Sequence, residues 1–371
     1  MARIAFRVSA NQAIGSGHLH RCLTLASGFK EVEPSSEIFF LTSSSSDYAD
    51  KITGAGFGFV NVDIGAVGWI DQDLEETLAA IEQNKIDMLI IDSYATDEKY
   101  LKALKAKAFL VAIDDFMHLK HYSAHAIVNP NVYSHLLQYS CDDGTELLLG
   151  TEFAQLRQEF EEYQDIRREN PERIRRILVT FGGSDPKGAS VTAVRALKSL
   201  ADAFTATVVV GRCFRKGEEL AREIGLDDRF MVLRDVPDMS KKMAMADLAI
   251  ASPSTTFYEL LFFRLPSILI TQADNQVMIA DYAGKMGLAM SLGYMGYDKG
   301  ADADAGAGKV AGGDGGDSGK LAAVIKQLMA DKPERDRMSA RMSDLVDGLG
   351  RFRLATELLR IYQERSSRDN V

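Results

Sequence analysis

A histidine at the mouth of a helix, behind two glycines, is the first feature of this chain that could do chemistry. The segment reads Ala13-Ile14-Gly15-Ser16-Gly17-His18-Leu19-His20-Arg21-Cys22 and follows the apolar run Ile4–Val8. Gly15 and Gly17 permit a tight turn and close approach of the backbone to a ligand. The helix opening there offers free N–H groups to an anion such as a phosphate. An imidazole in that place can act as a base. A helix N-terminus disfavours the imidazolium, so His18 is expected to be a neutral proton acceptor. Arg21 lies three residues on, near the His18 face, and His20 points elsewhere. The competing reading is a plain turn with a surface histidine. A dinucleotide fingerprint is excluded, because His20 stands at its third glycine position.

Three later clusters have similar placement. In Phe181-Gly182-Gly183-Ser184-Asp185-Pro186, two glycines and a hydroxyl at a strand end make a phosphate-cradling nest. In Ser252-Pro253-Ser254-Thr255-Thr256-Phe257-Tyr258-Glu259, Ser254 or Thr255 can cap a helix, with Glu259 one turn inside. Glu259 is then either a solvated or capping carboxylate or an acceptor for two vicinal ribose hydroxyls. The run Pro266–Thr271 ends in Gln272-Ala273-Asp274-Asn275-Gln276, where Asn275 and Gln276 bind a sugar hydroxyl or cap the helix. Asp92, Asp114, Asp115, Asn129 and Asn131 also sit at strand ends, where turn capping competes with ligand contact.

The elements that must hold these residues read as an alternation. Expected strands are Ile4–Val8, Glu37–Leu41, Met88–Asp92, Phe109–Ile113, Ala126–Asn129 and Leu147–Leu149, then Ile177–Phe181, Ala206–Val210, Phe230–Leu233, Leu248–Ala251 and Ser267–Thr271. Several are apolar on both faces, as in a parallel sheet covered by helices. Helical stretches between them include Gly17–Lys30, Leu74–Asn84, Ala189–Leu200 and Thr255–Phe263. This is the pattern of a doubly wound α/β fold.

The pattern restarts after Glu161–Arg176, a run with five acids and five arginines that reads as a solvated helix end and linker. The expected domains are therefore 1–165 and 166–371, in keeping with a length of 371 residues. Gly300–Gly319 holds eight Gly, five Ala and four Asp and is expected to be a disordered loop. It contains one copy of a GGxGxD pattern, but such calcium sites need stacked repeats, so no metal is expected. The tail Leu321–Gln363 reads as helical and charged.

A net charge of −10 provides no basic field for nucleic acid. Cys22, Cys141 and Cys213 form no CxxC pair, which points to a reducing compartment without a disulfide framework or zinc cluster. Arg3 and Arg7 interrupt the N-terminal apolar stretch, so no signal peptide is expected. No apolar run reaches the length of a membrane span. A cytoplasmic protein is the expectation.

In order and spacing, the chain resembles the UDP-2,4-diacetamido-2,4,6-trideoxy-β-L-altropyranose hydrolases of pseudaminic acid biosynthesis and the related spore-coat polysaccharide proteins. The match runs from Phe6 to about Ala283. It is carried by Phe6-Arg7, Ile14-Gly15-Ser16-Gly17-His18 with Arg21-Cys22, Ile91-Asp92-Ser93-Tyr94, Ile113-Asp114-Asp115 and Val128-Asn129-Pro130-Asn131. It continues through Leu156-Arg157-Gln158-Glu159-Phe160, Phe181-Gly182-Gly183-Ser184-Asp185-Pro186, Glu259 and Asn275-Gln276, and beyond it Asp347-Gly348-Leu349-Gly350 resembles the family's closing Asp-Gly-x-Gly.

The resemblance implies a GT-B fold, two Rossmann-like domains with parallel sheets facing across a cleft. It implies inverting hydrolysis of a UDP-sugar with no cofactor or metal. His18 and Asn275 would be catalytic. Gly15, Gly17, Arg21, Gly183, Ser184, Ser254, Thr255, Glu259 and Gln276 would bind the substrate, with Gly183 and Ser184 at the diphosphate and Glu259 at the ribose. The partner would be a UDP-sugar, with the protein a monomer or weak homo-oligomer. Ser9 stands where the family usually has Asp. That difference leaves two alternatives, a GT-B glycosyltransferase with a UDP-sugar donor and a non-catalytic nucleotide-sugar binding protein.

Overall fold

A computed structural model describes residues 2–8, 17–42, 49–62, 70–166, 168–295 and 314–368. Gly15, Ser9 and most of the Gly300–Gly319 run lie outside them. The chain divides into two compact units, one of Met1–Gln158 with Asp347–Val371 and one of Glu159–Val346.

The first unit is built on a seven-stranded sheet. Its strands are β1 (Arg3–Val8), β2 (Glu37–Thr42), β3 (Gly58–Asn61), β4 (Met88–Asp92), β5 (Phe109–Ile113), β6 (Ala126–Asn129) and β7 (Glu146–Leu149). The order is β3-β2-β1-β4-β5-β6-β7, with all neighbours parallel. The helices are α1 (Gly17–Val32), α2 (Ala49–Gly54), α3 (Ile70–Asn84) and α4 (Glu98–Lys105). Alternate side chains of one strand enter different cores. Ile4, Phe6 and Val8 pack with Leu19, Cys22, Leu25 and Phe29 of α1. Ala5 joins Leu89, Ile91, Ala80 and Leu101 on the other face. Burial on both faces is why these runs read as continuously apolar.

The second unit repeats the plan with six strands. They are β8 (Arg176–Thr180), β9 (Thr205–Val210), β10 (Phe230–Arg234), β11 (Leu248–Ala251), β12 (Ser267–Thr271) and β13 (Met290–Tyr294), in the order β10-β9-β8-β11-β12-β13. Helices α5 (Ala189–Lys198), α6 (Gly217–Ile224), α7 (Met239–Met245), α8 (Thr255–Phe262) and α9 (Val277–Lys285) alternate with them, followed by α10 (Asp314–Ala330) and α11 (Lys332–Arg341). The order of strands reverses direction beside β1 in one unit and beside β8 in the other. Open α/β sheets bind ligands at that switch point, beyond the carboxyl ends of the strands.

Two strands escaped the sequence reading. Gly58–Asn61 and Met290–Tyr294 are edge strands without a fully buried residue, so neither carries an apolar run.

Four expectations need correction. The unit boundary falls at Gln158/Glu159 rather than 165/166. The segment that follows is not simply solvated: Phe160, Asn170 and Ile174 are buried, and Arg335 donates to the Pro171 carbonyl at 2.5 Å. The tail does not stay with the second unit. The last helix, α12 (Gly350–Arg368), packs on α1, where Arg351 is fully buried and pairs with Glu31 at 3.1 Å. Gly28 makes that contact possible, since a Cβ there would lie 2.7 Å from the Arg351 carbonyl oxygen. Finally, residues 314–319 of the glycine-rich run are the first turns of α10, not loop.

Candidate active site

At the switch point of the first unit, the parallel register sets Asp92, the last residue of β4, opposite Val8, the last of β1. Helix α1 begins beside them, with Gly17 and His18 as its first residues. His18 Nδ1 meets Asp92 Oδ1 at 2.9 Å, and both side chains are buried. A carboxylate there fixes the tautomer with the proton on Nδ1 and leaves Nε2 as the acceptor. Among the described residues, none bonds Nε2.

Burial opposes a charge on His18, but the Asp92 carboxylate outweighs it, so the imidazole pKa is raised from 6.5. This corrects the expectation drawn from the helix terminus: the adjacent full charge dominates a partial dipole charge. Asp92 therefore raises the basicity of His18, where the helix terminus alone would lower it.

Arg21 binds two carboxylates at once. Its Nε and Nη2 each donate to Asp92 at 2.7 Å, and Nη1 and Nη2 donate to Asp115 at 2.8 and 3.0 Å. Burial penalises this guanidinium, and Asp115 and Asp92 together hold its pKa well above the ordinary value. Burial likewise works against the charges of Asp92 and Asp115, and Arg21 keeps both carboxyls below their usual range. Four of the five guanidinium N–H groups are taken by these bonds, so Arg21 braces Asp92 against Asp115 and keeps one Nη1 N–H outside them. Two carboxylates and one guanidinium leave one net negative charge beside His18. Proton uptake by the imidazole cancels it.

The cluster is closed by aromatic rings. The Tyr94 hydroxyl donates to Asp115, and its ring stands edge-on to His18 with centroids 4.8 Å apart. Asn131 Nδ2 donates to Asp115 at 2.9 Å and the Tyr133 hydroxyl to its carbonyl at 2.6 Å. Asp114 turns into a second buried network, accepting from Tyr122 at 2.8 Å and Tyr139 at 2.7 Å and lying 2.6 Å from His118 Nδ1. Capping also occurs, since Asp114 takes the Met117 N–H at 2.7 Å. Cys22 is buried with its thiol 3.5 Å from Asp92, and burial pushes its pKa well up, which makes it inert. Tyr94, Tyr122, Tyr133, Tyr139 and His118 were given no role from sequence, where Tyr94 stood only as the last residue of Ile91-Asp92-Ser93-Tyr94.

In the second unit, Thr180 and Ala251 pair in register, so the loops after β8 and β11 emerge side by side. Gly182 and Gly183 are exposed and Ser184 half-buried. Gly182 has φ +75°, which suits glycine. Gly211 lies so close that a Cβ on it would be 2.3 Å from the Gly183 carbonyl oxygen. The N-terminus of α5 is already filled: Asp185 accepts from Ala189 N at 2.8 Å and Ser190 N at 2.9 Å. An external anion is therefore left with the turn itself.

Helix α8 differs. Ser254 occupies its N-cap position without a side-chain capping bond, Thr255 is exposed, and Glu259 is buried one turn on. After β12, Asn275 is exposed in a short helical turn, Asp274–Gln276, and Gln276 Oε1 caps the Gln272 N–H at 2.8 Å. Asn275 belongs to this unit and His18 to the other. Among the described residues, no group of three or more His, Cys, Asp or Glu could hold a metal. No helix among them is long and apolar enough to cross a membrane.

Two Rossmann-like units, each with its polar loops at the switch point, define a GT-B protein. Solved structures show the same fold. The crystal structure of MurG from Acinetobacter baumannii superposes with a TM-score of 0.64 at 13% identity, covering 96% of this chain and 99% of that one. Phytolacca americana UGT2, complexed with UDP-2-fluoro-glucose and pterostilbene, gives 0.64 at 12%, covering 98% and 100%. No family model matches the chain.

Sequence relatives are more specific. An uncharacterised protein of Methanocaldococcus jannaschii is 27% identical over 283 residues, 74% of this chain but only 56% of that protein. The UDP-2,4-diacetamido-2,4,6-trideoxy-β-L-altropyranose hydrolase of Campylobacter jejuni is 24% identical over 79% of this chain and its own full length. The spore coat polysaccharide biosynthesis protein SpsG of Bacillus subtilis is 24% identical over 60% of this chain and 66% of its own. The chain is a distant homologue of this hydrolase and spore-coat group.

Proposed function

We propose that this protein hydrolyses a UDP-linked acetamido-deoxy sugar, releasing UDP, in the making of a nonulosonic acid or surface polysaccharide. The observation that carries this is His18, buried, held through Nδ1 by Asp92, with no bond to Nε2 from any of the described residues. Water attacks the anomeric carbon, a new C–O bond forms on the face opposite the phosphate, and His18 Nε2 takes the water proton. The bond from the anomeric carbon to the phosphate oxygen breaks, and UDP leaves with that electron pair. Asp92 stabilises the imidazolium as it forms, the role a carboxylate plays behind any catalytic histidine.

The residues of the second unit suit the nucleotide. Gly183 and Ser184 provide a diphosphate turn. Ser254 and Thr255 provide hydroxyls at the head of α8, where the Ser254 N–H is already given to the Ser252 carbonyl at 2.9 Å. Glu259 would take both ribose hydroxyls, and Gln276 and Asn275 would contact the sugar. Full-length alignment to the Campylobacter hydrolase supports water as the acceptor.

Incubation of the purified protein with a panel of UDP-sugars tests the reading. UDP released without an acceptor supports hydrolysis. Release only after a sugar or lipid acceptor is added makes the protein a transferase. His18→Asn is expected to abolish release and retain UDP binding. Unchanged turnover in that variant removes His18 from its role.

A further inference from the structure

The amino ends of β8, β9 and β11 carry a second concentration of chemistry, opposite the loops described above. An open depression of about 800 Å³ lies there, lined by Pro171, Phe204, Arg173, Arg175, Arg176 and Asp247. In a chain of net charge −10, three arginines around one depression are a local reversal of sign.

The acids present do not cancel it. Asp247 is spent: it accepts the backbone N–H groups of Arg175 and Arg176, both at 2.9 Å, and the Arg176 guanidinium at 2.9 Å. Among the described residues, no side chain pairs with Arg173 or Arg175, and Glu172 is the remaining carboxylate in the lining. Arg168, outside the lining, interacts electrostatically with Asp247 and Arg176. Its Nε is buried without a hydrogen-bond partner among the described residues. Burial pushes its pKa down to about 10, with Asp247 offsetting part of the loss and Arg176 adding to it. A half-buried guanidinium with an unpartnered Nε gains from an anion nearby.

We propose that this depression binds a doubly charged phosphate-type anion, a pyrophosphate or phosphomonoester, at a site separate from the nucleotide loops. Guanidinium forks match phosphate oxygens in pairs, which favours this class over a monovalent anion. The five residues of β8 separate the two edges by about 15 Å, so both sites can be filled at once. The proposal stands independently of the hydrolase reading.

Calorimetric titration of the full chain with inorganic pyrophosphate, at constant ionic strength and with saturating UDP, tests it. One saturable site is expected, weakened about tenfold or more in Arg173→Ala/Arg175→Ala through loss of two charge-assisted contacts. UDP affinity should not change, because both substituted side chains are exposed and remote from the UDP loops. Displacement of pyrophosphate by UDP would place the anion at the carboxyl edge and overturn the proposal. So would unsaturable uptake, or equal affinity in the double variant. If the chain binds no UDP, the hydrolase reading fails, and the double variant still decides this one.

Discussion

Asp92→Asn changes one charge at the centre of the His18 cluster and almost no volume. The carboxylate accepts from His18 at 2.9 Å and twice from Arg21 at 2.7 Å, all buried. Breaking a buried ion pair costs about 3–5 kcal/mol. The lower end applies here, because Arg21 keeps both bonds to Asp115. About 3 kcal/mol corresponds to a fall in Tm of about 6–12 °C for a unit of this size.

The pH dependence fixes the cause. The folded pKa of His18 is raised, so its contribution is full below the unfolded value and fades as pH rises through the folded one. That of Asp92 is depressed, so its contribution is full above the unfolded value and fades as pH falls through the folded one. The wild-type advantage is therefore widest between the ordinary values of 3.8 and 6.5.

In catalysis, the variant leaves His18 with burial and Arg21 pushing its pKa down and the weaker pull of Asp115 holding it up. The ascending limb of kcat/KM against pH should move to lower pH. Turnover near pH 8 should fall about 10²–10⁴-fold as the imidazole loses its orientation. Thermal melts from pH 4 to 9 and a pH–rate profile read both effects. An unmoved limb with full turnover, or a limb moved to higher pH, would refute the assignment of Asp92 as partner of the base.

Tyr94→Phe keeps the ring against His18 and deletes the hydroxyl bonded to Asp115. Urea unfolding should show a loss of about 1–3 kcal/mol for a buried acceptor left short of a donor; unchanged stability would mean the bond contributes nothing. Glu259→Gln should weaken UDP binding about tenfold or more, as expected for a charge-assisted hydrogen bond. 2′-Deoxy-UDP should lose less, and equal losses by calorimetry would take Glu259 away from the ribose. Gly28→Ala forces a Cβ to within 2.7 Å of the Arg351 carbonyl and should cost about 1–3 kcal/mol by overpacking between α1 and α12. UDP-sugar turnover at 25 °C should survive in that variant, and a wild-type Tm would show that the helices separate freely.

The sequence by itself determined the repeated α/β plan. Met88–Asp92 and Leu248–Ala251 declare themselves as strands because both faces are apolar, a property written in adjacent residues. It also placed His18, Gly183, Ser254 and Glu259 at strand-to-helix turns, since strand, glycine and helix follow one another along the chain. The edge strands Gly58–Asn61 and Met290–Tyr294 were illegible, because their pairing depends on neighbours rather than on their own apolarity.

What only the tertiary structure decided was which side chains meet. Arg21 finds Asp92 and Asp115 across 71 and 94 residues of chain, through the parallel register of β1, β4 and β5. That meeting makes Arg21 the brace between the two carboxylates. It also reverses the expected charge preference of His18, because a buried carboxylate at 2.9 Å outweighs the dipole of a helix end. The return of α12 to the first unit has the same origin. Its apolar face is local information, but the surface that buries it lies more than 300 residues earlier, on α1.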